Sequence, residues 1–221
     1  MKKLVKIVTK VHLSTKRNYK ERMFNNKILS MQKARKFEYD YWDGDRNHGY
    51  GGYKYIPGKW TEVAKKLIKL YKLNEKSKVL DVGCGKGFLL YEIKKLIPKI
   101  EVSGFDISKY EIKNSKKEIK KYLYHHDARK KFPIKDKKFD LVFSINTLHN
   151  FRLPSLIFSL KEIERVSKKS FLLVEGYRNE KELFNLQCWA LTAESFFTDK
   201  EWRYIFQQAN YKGDYEFIYF Q

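Results

Sequence analysis

The stretch Lys78–Ile93, KVLDVGCGKGFLLYEI, decides the fold. Val79 to Val82 is a short apolar run with β-branched residues, bounded by Ser77 and by glycines, and it predicts a buried strand. Gly83, Gly85 and Gly87 follow at once. Phe88, Leu89, Leu90, Ile93 and Leu96 then recur at helical spacing up to Pro98. Strand, glycine loop and helix in that order form the first half of a Rossmann-like nucleotide site. The glycines let the backbone turn sharply and let a ligand lie against it, and the helix N-terminus offers free N–H groups. A dinucleotide fingerprint needs glycine where Phe88 stands. The pattern is instead D-x-G-x-G-x-G, Asp81 to Gly87, with an acid on the strand itself.

Downstream, EVSGFDIS predicts a second strand over Glu101 to Ser108, carrying Asp106. A short strand precedes Asp127-Ala128, and Phe139-Asp140-Leu141-Val142-Phe143 leads a fourth strand that exits through Ser144 to Asn150. Leu156, Leu160, Ile163 and Val166 mark a helix, Ser170 to Glu175 a fifth strand, Asp199 to Ala209 a helix, and Tyr215 to Phe220 a last strand. With this ordered set the chain resembles the class I S-adenosylmethionine-dependent methyltransferases over roughly residues 60–220.

The resemblance implies an α/β, Rossmann-like fold: a mostly parallel sheet of six or seven strands flanked by helices, here with a basic N-terminal helical arm. The usual sheet ends in an antiparallel hairpin. Here the partner strand is missing, very short, or drawn from Leu191 to Thr198. The expected division is an arm and Gly/Tyr-rich lid over residues 1–59 and a cofactor domain over 60–221. The implied cofactor, S-adenosylmethionine, falls to Asp81, Gly83, Cys84, Gly85, Gly87, Asp106, Ile107, Asp127, Ala128 and Asn146. Asp106 at the strand tip then accepts the ribose hydroxyls, and Asp127-Ala128 contacts the adenine. As an alternative, Asp106 is a helix N-cap, a place that Ser108 fills equally well.

A second glycine cluster lies upstream. Four of the eleven glycines fall between Gly44 and Gly52, in and around DRNHGYGGYKY. No strand precedes it, and the next helix, Trp60 to Leu73, begins only after Pro57-Gly58, so it is not the phosphate-type cradle. It is either a lid over the cofactor or an Ω-type surface loop whose tyrosines pack on the body. As a lid it offers Arg46, Tyr50, Tyr53, Lys54 and Tyr55 to an acceptor. This stretch, FEYDYWDGDRNHGYGGYKYIPGKW, and VEGYRNEKELFNLQCWALTAESF also resemble methyltransferases of bacterial capsule and surface-polysaccharide biosynthesis. That likeness implies a small polar or anionic acceptor: a sugar, a nucleotide-activated precursor or a phosphate-type group.

Methyl transfer is an in-line displacement that rests on alignment and, for a hydroxyl acceptor, on a base. His149, just past the fourth strand, is the candidate base or else a structural histidine. Asn146 and Asn150 orient the acceptor in this reading. Tyr177 and Arg178, with Glu175, lie after the fifth strand on the same edge. Arg178 meets an anionic acceptor or pairs with Glu180 or Glu182. No carboxylate–histidine set has metal spacing, so no metal is expected.

The net charge is +21, and residues 1–36 carry nine lysines and three arginines against Glu21 alone. This excess suits an anionic partner or is a lysine-biased solvated surface. Of the 47 basic residues only nine are arginine, the better reader of bases and phosphates, which argues against nucleic acid. So does the strand-four exit, SINTLHN, which lacks the Asn/Asp-Pro-Pro-aromatic turn used on a flipped adenine. A nucleic-acid methyltransferase and a non-catalytic cofactor-binding partner protein remain the rival readings. No apolar run approaches the ~18 residues of a membrane span. Cys84 and Cys188 are far apart, and a cytoplasmic setting is expected. Oligomeric state is open.

Overall fold

The computed structural model describes residues 3–221. Its short opening helices are α1 (Thr9–Leu13), α2 (Tyr19–Phe24), α3 (Lys27–Ala34) and α4 (Tyr39–Trp42), followed by a 3-10 turn over Arg46–His48 and by α5 (Thr61–Tyr71). The body then runs β1 (Lys78–Val82), α6 (Phe88–Leu96), β2 (Glu101–Asp106), α7 (Lys109–Lys113), α8 (Lys117–Lys120), β3 (Leu123–His125) and β4 (Phe139–Ile145). After a 3-10 turn over Leu148–Asn150 come α9 (Leu153–Val166), β5 (Ser167–Glu175), α10 (Glu180–Trp189), α11 (Asp199–Gln208) and β6 (Asp214–Ile218).

The strands form one six-stranded sheet in the order β3-β2-β1-β4-β5-β6, and every pairing is parallel. The order reverses between β1 and β4, and ligands of such sheets sit at the carboxyl edge of that switch point. Both faces are covered, so the strands are apolar on both sides. Val79, Leu141, Phe143, Phe171 and Leu173 pack with α5 and α6. Leu80, Val82, Val142, Leu172 and Val174 face α9 and α11. This alternation is the two-residue period of a strand.

No antiparallel seventh strand forms among the described residues. The stretch from Leu191 to Thr198, the expected partner, contributes one isolated parallel bridge, Tyr177 to Thr198. The amides of Glu194 and Ser195 instead bond the His149 carbonyl at 2.9 and 3.0 Å, and Ser195 Oγ bonds the Phe151 carbonyl. The segment is held over the strand-four exit rather than in the sheet.

The free side of β6 is taken by the N-terminal segment. Val5 N donates to the Tyr215 carbonyl at 2.9 Å and Tyr215 N to the Lys3 carbonyl at 3.0 Å. Next along β6, the buried carboxylate of Glu216 accepts the amides of Ile7 (2.7 Å), Val8 (2.8 Å) and Thr9 (2.8 Å), and the Thr9 hydroxyl. These are the free amides at the start of α1, which needs an acceptor there.

Candidate functional site

Two adjoining cavities open at the carboxyl edge of β1, β2 and β4. The smaller, about 110 Å³, is lined by Gly83, Cys84, Gly85, Asp106, Ile107, His126, Asp127, Ala128, Asn146 and Asn150 among others. The larger, about 340 Å³, is lined by Asp81, Gly83, Cys84, Asn146, His149 and Glu175 on the side of the sheet, and by Arg46, Tyr50, Tyr53 and Lys54 opposite. Tyr41, Tyr50 and Tyr53 border both, so the two spaces share one roof.

The glycine loop is built as its spacing requires. Gly83 has φ +79°, and a Cβ there would lie 2.1 Å from Thr147 Oγ1, so glycine is obligatory. Gly87 is also left-handed, but it packs on Leu123 and Ile119 and lines neither cavity. Asp106 accepts the Gly85 amide at 2.9 Å and the Ser108 amide at 2.8 Å. The helix cap of α7 is Ser108, whose Oγ accepts the Glu111 amide at 3.0 Å. Asp106 is therefore free of capping duty and faces the smaller cavity. Burial raises the pKa values of both Asp81 and Asp106, and Asp106 pushes Asp81 up further.

The adenosyl group implied by the resemblance fits this lining. Asn146 Oδ1, Asn150 Oδ1 and His126 Nε2 are buried at the smaller cavity without a protein partner. Unpaired buried polar atoms are costly, and a nucleoside's hydroxyl and amino groups would pair them. Asn146 also holds φ +53°, an uncommon conformation for a non-glycine residue that clusters at ligand sites. Asp127 reaches the same cavity but holds Arg129, with contacts of 2.9 to 3.2 Å. Asn150 lines the smaller cavity and not the larger one that holds His149.

At the larger cavity, His149 Nε2 stands 3.7 Å from Glu175 Oε2, and both side chains are mostly buried. His149 Nδ1 is buried and has no partner. At 3.7 Å no hydrogen bond joins them, but the imidazole and the carboxylate share one wall of the cavity.

The upstream glycine cluster folds as a roof. Trp42 stacks on Tyr50 at 5.0 Å, Tyr50 lies 4.9 Å from Tyr53, and Tyr53 lies 5.2 Å from Phe88 of α6. A Cβ on Gly49 would lie 1.8 Å from the Tyr41 carbonyl, so only glycine lets the roof close. Lys86, inside the glycine loop, clamps it: its Nζ donates to Asp43 at 2.6 Å and to the Tyr53 carbonyl at 2.8 Å. Tyr110 Oη donates to Asp43 as well, at 2.8 Å. Glu111, 3.6 Å from Lys86, is pushed up to about 9, by burial above all and against the pull of Lys86.

Three expected acceptor residues lie outside both cavities. Tyr55 turns back to donate to Glu92 on α6. Arg178 pairs with Glu182 of α10 and lies 4.0 Å from the Tyr219 ring centroid, as its alternative reading held. Tyr177 bridges to Thr198. Sequence reading also missed residues that do line the larger cavity: Arg17, Arg22, Tyr41 and Trp189. Arg17 and Arg22 belong to a segment without a motif, Tyr41 and Trp189 to the two stretches of the second resemblance, which singled out neither, and long-range packing brings all four together. Lys86 was legible in principle, as a charged residue inside a ligand-approaching loop.

Residues 73–210 match the model of a methyltransferase-domain family. The chain is 32% identical to a demethylmenaquinone methyltransferase of Chlorobaculum parvum, over 51% of this chain and 46% of that protein. It is 31% identical to a tRNA U34 carboxymethyltransferase of Nautilia profundicola, over 50% and 37%. It is 26% identical to a malonyl-[acyl-carrier protein] O-methyltransferase of Hahella chejuensis, over 62% and 50%. The chain thus spans half or less of the length of these curated relatives. Among solved structures, the YcgJ protein of Bacillus subtilis superposes with a TM-score of 0.54 at 20% identity, covering 66% of each chain. A candidate methyltransferase of Bacillus halodurans gives 0.54 at 21%, covering 66% of this chain and 67% of that one. At these identities the likeness speaks for the fold.

Proposed function

We propose, on the premise that the chain belongs to this methyltransferase-domain family, that it is an S-adenosylmethionine-dependent methyltransferase acting on an oxygen of a small polar acceptor. The observation that carries the reading is the joining of the two cavities under one roof, with the His149–Glu175 pair in the wall of the larger. Bound there, the cofactor supplies a methyl carbon activated by its sulfonium. Asp106 holds the ribose, Asp127, Ala128 and Asn150 border the base, and Asp81 offers its carboxylate to the ammonium of the methionyl end. The aromatic roof keeps water out, which strengthens every charge interaction beneath it. His149 takes the proton that the acceptor hydroxyl releases, and Glu175 steadies the imidazolium. Positioning of this kind supplies roughly 7–11 kcal/mol, and a placed base adds about 10²–10⁴ in rate.

In this reading residues 1–59 serve as arm and lid and residues 60–221 as the cofactor domain. The enclosed space suits a sugar, a nucleotide-activated precursor or a phosphate-type group, as in capsule or surface-polysaccharide biosynthesis. A cavity of about 340 Å³ has the size of a small-molecule site rather than a nucleic-acid groove. Both cysteines are buried and unpaired, in keeping with a cytoplasmic setting.

The test is the destination of the methyl group. The protein is incubated with methyl-labelled S-adenosylmethionine and a source-cell extract split into small-molecule, polysaccharide and nucleic-acid pools. Label in the small-molecule or polysaccharide pool is expected. Label confined to nucleic acid would overturn the reading.

A further inference from the structure

We propose that three arginines gathered around Trp189 form a subsite for a phosphoryl group of the acceptor, so that the substrate is a small phosphorylated molecule; this deepens, and rests on, the small-acceptor reading above. Arg22 Cζ lies 4.5 Å from the Trp189 ring centroid, Arg46 Cζ 5.0 Å and Arg17 Cζ 5.5 Å. All three side chains and Trp189 line the larger cavity, the same space that holds His149 and Asp81. They come from the α1–α2 connection, α2, and the 3-10 turn of the roof. Arg17 and Arg22 approach the indole from one stretch of chain and Arg46 from the roof, so three guanidiniums converge on one ring.

Carboxylates act on them only from a distance, Glu175 on Arg17 and Glu21 on Arg22. Among the described residues none of the three forms a salt bridge with a carboxylate; Arg129, Arg152, Arg165 and Arg178 do, and Arg35 and Arg203, which line neither cavity, do not. Their hydrogen-bond partners are neutral. Arg22 donates to the carbonyls of Asn47 (3.2 Å) and Gly49 (3.1 Å), and Arg46 to those of Gly49 (2.7 Å) and Tyr50 (3.2 Å). Arg17 donates to the carbonyls of His12 and Thr15 and to the His12 ring, while its Nε is buried with no partner. His12 cannot supply negative charge. Its Nε2 donates to the Tyr219 carbonyl at 2.9 Å, which leaves Nδ1 as the acceptor for Arg17. Glu175 is the carboxylate of the cavity wall that acts on Arg17, and Asp81 lies at the glycine-loop end. Lys54 and Lys59 add further positive charge to the lining. Burial lowers the pKa of all three arginines, and Arg46 lowers Arg17 and Arg22 further, Arg22 to about 10.

Arg22 is buried, Arg17 half-buried and Arg46 exposed at the rim of the cavity; like-charged guanidiniums brought together with their inner members out of water are costly unless an anion joins them. A carboxylate brings one charge and two oxygens. A phosphoryl group brings close to two charges and three oxygens, and so matches three planar forks better. Each fork has five donors, of which the protein occupies two in Arg22 and two in Arg46. The remaining N–H edges, with the indole beneath them, form a lined seat for such a group.

The test is calorimetric titration of the full chain, saturated with S-adenosylhomocysteine, with inorganic pyrophosphate. Ribose 5-phosphate and uridine diphosphate are run beside it. The expected result is binding with Kd below about 1 mM at ordinary ionic strength, weakened about tenfold in Arg46→Gln and in Arg17→Gln. S-adenosylhomocysteine affinity should stay within about twofold. Tighter ribose 5-phosphate binding assigns a phosphomonoester; tighter uridine diphosphate binding assigns a nucleotide-linked acceptor; either supports the subsite. Absence of pyrophosphate binding to the wild-type protein, or binding unchanged in both variants, overturns it. Wild-type protein gives an independent reading through phenylglyoxal labelling: pyrophosphate should protect Arg17, Arg22 and Arg46, and equal labelling with and without it counts against the subsite. Two failures separate cleanly. A small-molecule pool that still accepts labelled methyl after combined nucleotide pyrophosphatase and phosphatase treatment overturns the subsite and leaves the methyltransferase reading intact. Label found only in nucleic acid overturns both.

Discussion

Replacing Glu216 by Gln changes one oxygen into an amino group and nothing in size. In the folded protein both carboxylate oxygens are occupied by donors. One accepts the Ile7 and Val8 amides, the other the Thr9 amide and hydroxyl. Turned toward Ile7 and Val8, the new NH2 orphans two amides; turned toward Thr9 it orphans the Thr9 amide but can donate to the Thr9 hydroxyl, so at least one buried donor is stranded and the rest lose a charged acceptor. Hydrogen bonds to a charged acceptor are worth roughly 1.5–3 kcal/mol each against about 0.5–1.5 for neutral ones, and an orphaned buried donor costs about 1–3 kcal/mol more. A loss near 3–5 kcal/mol is therefore expected, and it falls on one segment. The β1–β4–β5 core makes no use of Glu216, so residues 3–17 should come away before the body unfolds. Hydrogen exchange read by mass spectrometry should show protection lost over residues 3–17 and kept over β1 and β4. Trypsin should then cut at Lys16 and Arg17 at rates the wild-type protein does not show. Because Arg17 and His12 travel with that segment, pyrophosphate binding should weaken while S-adenosylhomocysteine binding holds. Wild-type protection of residues 3–17 in E216Q would refute the idea that this carboxylate pins the arm.

Other substitutions test separate parts of the site. Asp106→Ala should weaken S-adenosylhomocysteine binding at least several-fold by calorimetry; unchanged affinity would sink the ribose assignment. His149→Ala should lower kcat by about 10²–10⁴ with cofactor affinity little changed, and Glu175→Gln should lower it less; full activity in H149A would make this histidine structural. His12 is held down to about 4, from an ordinary 6.5, chiefly by burial and then by Arg17. Its neutral form is the folded one, so its contribution is complete above about pH 6.5 and is lost as pH falls toward 4. A gap of that size corresponds to about 3 kcal/mol. Denaturation midpoints between pH 7 and 4 should therefore fall less steeply in His12→Gln; parallel curves would contradict the assignment.

The parts of the fold set by local pattern were legible in the sequence. Val79 to Val82, the three glycines and the Phe88–Leu96 periodicity specify their own geometry, and Asp106 follows from its position at the end of an apolar strand. What depended on distant partners was not. Leu191 to Thr198 has the composition of a strand, yet two of its amides are taken by the carbonyl of His149. Tyr55 has the same local chemistry as Tyr53, but Glu92 across the cleft turns it away. Arg17 and Arg22 read only as part of a charge excess, because nothing near them in sequence announces Trp189. The left-handed Asn146 at the exit of β4 has no local signature beyond the tolerance of asparagine for that conformation.

The pairing of Lys3–Val5 with Tyr215 has a consequence for how this protein behaves in company. An all-parallel sheet ends in two open edges, and a bare apolar edge invites another chain to add a strand. Here one rim, beside Tyr215 and Phe217, is shielded by residues 3–5, with Lys3 and Lys6 exposed on either side of an exposed Leu4. Charge on the outermost residues of an edge is one of the features by which sheets resist pairing with another chain. Trimming that segment away would leave a sheet able to recruit its own copies, so loss of solubility, and not loss of folding, would be the first symptom.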